Sequence, residues 1–87
     1  MYIPDREHGM PAMPTASPVY LKTAGDIGKL VRARRCELGM TQDEFAGLAN
    51  VGRRFLIELE KGKPTLQIDR VLSVLQVCGY DLYGHRR

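Results

Sequence analysis

The 87-residue chain has room for one domain, and its 44% apolar content is that of an ordinary globular protein. Its formal charge of +3 suits an anionic partner, and from Tyr20 onward twelve Lys and Arg stand against eight Asp and Glu, so the basic surplus belongs to the segment with folding signals. Two distant cysteines, Cys36 and Cys78, with no CxxC or His/Cys cluster, argue against a zinc site and a disulfide framework and read as reduced interior residues.

No apolar run approaches the roughly 20 residues that cross a bilayer. The Pro-broken N-terminus lacks the apolar core of a signal peptide, so the expectation is a cytoplasmic protein without membrane contact. A domain this short buries only about 60% of the surface its unfolded chain exposes, which favours borrowing core from a second copy.

Residues 1–19 hold Pro4, Pro11, Pro14 and Pro18, show no helical or alternating period, and carry Arg6 as their one basic residue. They read as a flexible arm, either a plain leader or a segment that reaches a groove or a partner. Val19 to Lys22 is a short β-prone lead-in. The folded domain is expected over residues 20–79, with a tail over 80–87.

Thr23 with Asp26 approximates a capping box, and Ile27, Leu30, Val31, Arg34 and Leu38 recur at helical spacing. Helix 1 is therefore predicted from Ala24 to Leu38, ended by Gly39, with Lys29, Arg32 and Glu37 facing water. Thr41-Gln42-Asp43-Glu44 is a full capping box that starts a helix of about eight residues, whose apolar face is Phe45, Ala46, Leu48 and Ala49. Asn50 tolerates positive φ, and a third apolar stripe begins with Leu56 and Leu59. Two short helices separated by a three-residue turn result.

Gly62 and Pro64 close the third helix, and Thr65 is the expected cap of a fourth. Its residues Leu66, Ile68, Val71, Leu72, Val74, Leu75, Val77 and Cys78 cover more of the circumference than one core stripe requires. That excess, with the strand-type segment Tyr80 to Tyr83, predicts a dimer interface that includes Val74, Val77, Tyr80 and Leu82. The four-residue strand is either a frayed tail or pairs with its own copy across a two-fold axis.

The unit TQDEFAGLANVGRRFLIELEKGK, from Thr41 to Lys63, resembles the helix-turn-helix of the phage-repressor-like Xre or Cro/repressor family. Its T-Q-x-E-x-A opening, the turn length and the L-E-x-G-K exit all stand in register. The resemblance implies an all-α, compact, lambda-repressor-like domain of four to five helices, with a short C-terminal β-strand that pairs across a homodimer. It also implies binding to double-stranded DNA, with helix 3 inserted in the major groove of a near-palindromic operator.

By that resemblance Arg53, Arg54 and Glu58 occupy base-contacting positions, which suits a G·C-containing half-site; the alternative is that the arginines hold phosphates and Glu58 pairs on the helix surface. Thr41, Gln42, Lys61 and Lys63 fall at backbone-contacting positions. Arg35 and Glu60 match a family ion pair between helices 1 and 3, expected to contribute about 0.2 to 1 kcal/mol if exposed. Asn50 stands where the family usually has Gly, and Gly52 where it usually has Ser or Thr, which removes a capping hydroxyl.

The K-P-T after helix 3 and the L-x-V-L-x-V-x-G-Y-D-L ending are similar to the HipB-like antitoxin branch of the family. That likeness implies an autoregulating repressor that also binds a HipA-like serine/threonine kinase toxin. A solitary phage-type or metabolic repressor is the alternative, and an inhibitory protein-interaction module with little DNA binding is a third reading. An enzyme is disfavoured, since His8 and His85 lie in tails and no nucleophile, phosphate-loop or metal-ligand grouping is present. No cofactor or metal is expected.

Overall fold

The computed structural model describes residues 18–87. All but the last residues of the proposed N-terminal arm lie outside that range, and Val19 to Lys22 is irregular rather than extended in a sheet. Four helices follow in order: α1 (Ala24–Glu37), α2 (Gln42–Leu48), α3 (Arg53–Glu60) and α4 (Ile68–Val77). The described residues contain no strand, and the segment after Gly79 has no regular secondary structure. A single strand has no ladder partner within one protomer.

The first two helices start as their side chains dictate. Thr23 Oγ1 accepts the Asp26 amide, and the Asp26 carboxylate accepts the Thr23 and Lys22 amides in return. Thr41 and Glu44 repeat the arrangement at α2. Amides that donate to the charged form hold the carboxyls of Asp26 and Glu44 below the ordinary range, backbone bonds to Lys22 and Thr41 being the largest respective causes. Both boxes are therefore complete above the ordinary carboxylate pKa, and they open as the pH falls through the lowered values.

The four helices share one ending. At α1 the amides of Gly39 and Met40 donate to the carbonyls of Cys36 and Arg35, at α2 those of Asn50 and Val51 to Gly47 and Ala46, at α3 those of Gly62 and Lys63 to Leu59 and Glu58, and at α4 those of Gly79 and Tyr80 to Gln76 and Leu75. This paired closure needs a left-handed residue just past each cap. Glycine supplies it three times, and Asn50, at φ 56°, supplies it in the turn between α2 and α3.

The buried core is built from Val31, Phe45, Ala46, Ala49, Leu56, Leu59, Val71, Val74, Leu75 and Cys78. Two cap carbonyls within it are taken by side chains, Arg34 Nε donating to Cys78 O at 3.0 Å and Ser73 Oγ to Ala49 O at 3.1 Å. Arg34 thus earns its place on the apolar face of α1 by closing the end of α4, where a cation also meets the negative end of the helix dipole. The Arg70 guanidinium lies 6.0 Å from the centre of the Phe55 ring and links α4 to α3.

Several local expectations are corrected. Leu48 is well exposed, because it lies about a quarter-turn off the stripe formed by Phe45, Ala46 and Ala49. Leu38 is the cap of α1 and is also exposed. Thr65 does not cap α4: Pro64 and Thr65 form a turn, and α4 begins at Ile68 with Gln67 as its N-cap and no side-chain cap bond. Cys36 is exposed on α1, whereas Cys78 is buried and its thiol is pushed up to about 11, chiefly by desolvation. No helix among the described residues is long and apolar enough to cross a membrane.

Helix α1 crosses α3 closely enough that a Cβ on Gly28 would meet the backbone carbonyl oxygens of Leu59 and Glu60, the latter at 2.9 Å. Neither carbonyl can swing aside without disturbing α3. Gly28→Ala is accordingly expected to lower stability by about 1 to 3 kcal/mol despite better helix propensity. Gly47, inside α2, has open space around it, and Gly47→Ala should raise stability by up to about 1 kcal/mol. Urea denaturation of both variants reads the opposite signs.

Candidate nucleic-acid interface

The centre of the site is the Glu60 carboxylate at the end of α3. Arg35 of α1 grips it with both edges of its guanidinium fork, Nε to Oε2 at 2.7 Å and Nη2 to Oε1 at 3.0 Å. Arg35 Nη1 also donates to Met40 O at 2.9 Å, and Gln42 Nε2 of α2 donates to Glu60 Oε1 at 3.2 Å. The side chains of Arg35 and Glu60 are only 13% and 4% exposed. The pair is therefore mostly buried rather than a weak surface contact, and hydrogen bonding to Glu60 raises the Arg35 pKa further. Its fully bonded geometry offsets the desolvation that a lone charge would suffer there.

Above this pair opens a cleft of about 580 Å³ between α1, α2 and α3. Its rim carries Arg32, Gln42, Asp43, Arg53, Ile57 and Lys61, and Arg35 and Glu60 form the floor. Thr41, already engaged in the α2 capping box, lines the same cleft. Arg53, Arg54 and Lys61 are exposed, Arg54 on the side of α3 opposite buried Leu56 and Leu59, Arg53 on the flank next to the cleft and Lys61 at the C-cap.

Some of these groups are already paired. Arg53 Nε lies 3.1 Å from Asp43 Oδ1, with the two side chains 63% and 73% exposed. Lys63 Nζ lies 3.0 Å from Glu58 Oε2, which realises the surface-pair alternative for Glu58 and joins two residues expected to meet DNA separately. Arg54 meets no carboxylate among the described residues. The N-cap of α3 is Gly52 with no side-chain cap bond, so the free first-turn amides lack the hydroxyl that Ser or Thr would bring.

The sequence reading missed Arg32 and Ile57. Both were detectable from spacing: Arg32 is one turn before Arg35 on α1, and Ile57 is one turn after Arg53 on α3. Of the expected dimer residues, Val74 is fully buried within the chain's own core, to which all four helices contribute. Val77 and Tyr80 are partly buried against that core, and Leu82 is exposed.

Residues 31–84 match the helix-turn-helix family, a span that includes α2, α3, α4 and the second half of α1. The chain belongs to the helix-turn-helix family. The HTH-type transcriptional regulator y4mF of Sinorhizobium fredii, itself uncharacterized, is 58% identical over 71 residues, which cover 77% of this chain and 93% of the relative. In helix-turn-helix terms, α2 and α3 are the two helices of the motif, and four residues rather than the expected three separate them, Ala49 to Gly52, with Asn50 at the left-handed position.

Glu60→Ala would leave the Arg35 guanidinium buried without its partner and release Gln42. A loss of about 3 to 5 kcal/mol is expected. Replacing the pair together, as Arg35→Met with Glu60→Leu, should cost much less. Denaturant melts of the single and double variants compare the two directly.

Proposed function

We propose that this helix-turn-helix protein is a sequence-specific, homodimeric transcriptional repressor. One observation carries the DNA-reading part: α3 presents Arg53 and Arg54 in its first turn, both exposed, with Arg53 3.1 Å from Asp43 in the first turn of α2. A helix so presented fits the major groove, where an arginine can bond guanine O6 and N7 together. Gln42 and Lys61, with Thr41 at the cap of α2, line the cleft that Arg53 also lines and serve as backbone-holding groups, as does Lys63 beyond the far end of α3, and Arg32 extends the cationic rim. Glu58 joins the readers of bases when Lys63 turns to a phosphate.

A homodimer is supported by what α4 leaves uncovered. Ile68 and Leu72 of α4 and Leu82 and Tyr83 of the tail are exposed large apolar residues. A second copy would cover them and would also supply a partner for the backbone of Asp81 to Tyr83 in a two-stranded ladder. Two copies of α3 related by a two-fold axis would read inverted half-sites about 34 to 36 Å apart.

The finer antitoxin reading has the same dimer also bind a HipA-like kinase toxin. It rests on the K-P-T and L-x-V-L-x-V-x-G-Y-D-L patterns in the sequence. The solitary repressor is the reading to prefer if no such kinase binds the dimer.

Arg54→Ala should weaken operator binding by about 1 to 3 kcal/mol and relax preference at one base pair of each half-site. Lys61→Ala should instead weaken all duplexes alike and reduce the magnitude of the salt slope by about one per subunit. Binding isotherms at several salt concentrations, on matched and altered duplexes, separate the two roles. A lysine-like result for Arg54 would move it to the phosphate-holding set.

Sedimentation of the DNA-free protein at micromolar concentration should give two subunits. Leu72→Asp, on the exposed side of α4, should give a folded monomer with unchanged helical content. A wild-type monomer would overturn the dimer.

A further inference from the structure

Among the cations near the α2–α3 junction, Arg53 is held in a particular way. Its Nε faces Asp43 Oδ1 at 3.1 Å, and both residues line the same cleft. Asp43 has no other assigned task, because the α2 capping box is completed by Glu44 and the Asp43 side chain is 73% exposed. We propose that Asp43 is a positioning residue for DNA reading: its carboxylate, in an ion pair with the Arg53 guanidinium, keeps that side chain beside the first turn of α2 and cancels part of its charge, so that a directional contact to guanine is favoured over a bare phosphate. This rests on Arg53 being a base reader, as argued above.

The chemistry follows from the shape of the guanidinium. Nε carries one N–H, and the two terminal nitrogens carry four. The end-on edge, formed by one N–H from each terminal nitrogen, offers two parallel donors that match the O6 and N7 acceptors of guanine. The ion pair with Asp43 restricts where this long side chain goes before DNA arrives. The carboxylate itself is tolerated at this position because it lies in the first turn of α2, at the positive end of that helix.

Asp43 also acts on the competing contact. An arginine on a bare phosphate gains from its full charge and from counterion release, whereas a guanine contact depends on hydrogen-bond direction. A carboxylate 3.1 Å away cancels part of the charge and leaves the direction intact. Non-specific binding is therefore lowered more than specific binding. The pair is solvent-exposed, so the effect is a few-fold rather than orders of magnitude. Lys63, paired with Glu58 at 3.0 Å, lacks this property because an ammonium is a point charge without a preferred edge.

The test uses the full chain and a duplex that wild-type protein selects from a randomised pool, that duplex with each guanine replaced in turn, and mixed-sequence DNA. Asp43→Asn should bind mixed-sequence DNA about two- to fivefold more tightly and lose about threefold of the preference for guanine at one position per half-site. Its non-specific salt slope should steepen by about one per subunit. In an Arg53→Ala background the same Asp43→Asn change should do none of this, because the two residues act as a unit. A merely structural role for Asp43 would shift selected and mixed duplexes alike and would persist without Arg53, and either result overturns the inference. If Arg53→Ala abolishes the guanine preference while Asp43→Asn leaves it intact, the inference falls and the base-reading role of Arg53 stands. If wild-type protein selects no sequence, both fall.

Discussion

The Glu60 carboxylate sits where α1, α2 and α3 meet, with both oxygens occupied by Arg35 and one of them shared with Gln42. Taking two charges out of water is costly, so a nearly buried pair persists only if its bonds are complete and its neighbours hold still. Here α1 contributes the guanidinium, α3 the carboxylate, and α2 an amide, and Met40 O occupies a further guanidinium N–H. The three helices are consequently fixed relative to one another at the floor of the cleft. The orientation of α3, and with it every cation on its exposed side, follows from that constraint.

The same dependence on tertiary contacts appears at the helix ends. Helices of seven, eight and ten residues are too short to stand alone in water, so their stability comes from packing and from closed termini. Each ends in the same pair of backbone bonds. Arg34 and Ser73 then satisfy two cap carbonyls that packing would otherwise isolate, and each does so from a different helix. Polar groups thus join elements at places where apolar burial alone would leave an acceptor unpaired.

Electrostatics divide the proposed DNA face into two kinds of group. Arg54 and Lys61 are exposed on it, while Arg53 and Lys63 share their charge with Asp43 and Glu58. A surface of this kind attracts polyanions less strongly than its count of basic residues implies. Each paired cation is instead kept beside its carboxylate, and what it offers a duplex depends on what that carboxylate permits.

The sequence by itself determined the helices, the turn and the family. Capping boxes at Thr23 and Thr41, the left-handed residues Gly39, Asn50 and Gly62, and the apolar period are local signals, and local signals are written in neighbouring residues. Arg35 and Glu60 were legible through the family resemblance, although their burial was not. What only the tertiary structure decided concerns groups far apart in the chain: the hold of Gln42 on Glu60, the pairing of Arg53 with Asp43, the closing of α4 by Arg34, and the burial of Val74 while Ile68 and Leu72 stay outside. A hydrophobic stripe states that a helix has an inner side, but which apolar residues lie inside depends on the crossing angles of its neighbours. Pairing between charges depends likewise on distances of a few ångströms, and only the packed chain sets those.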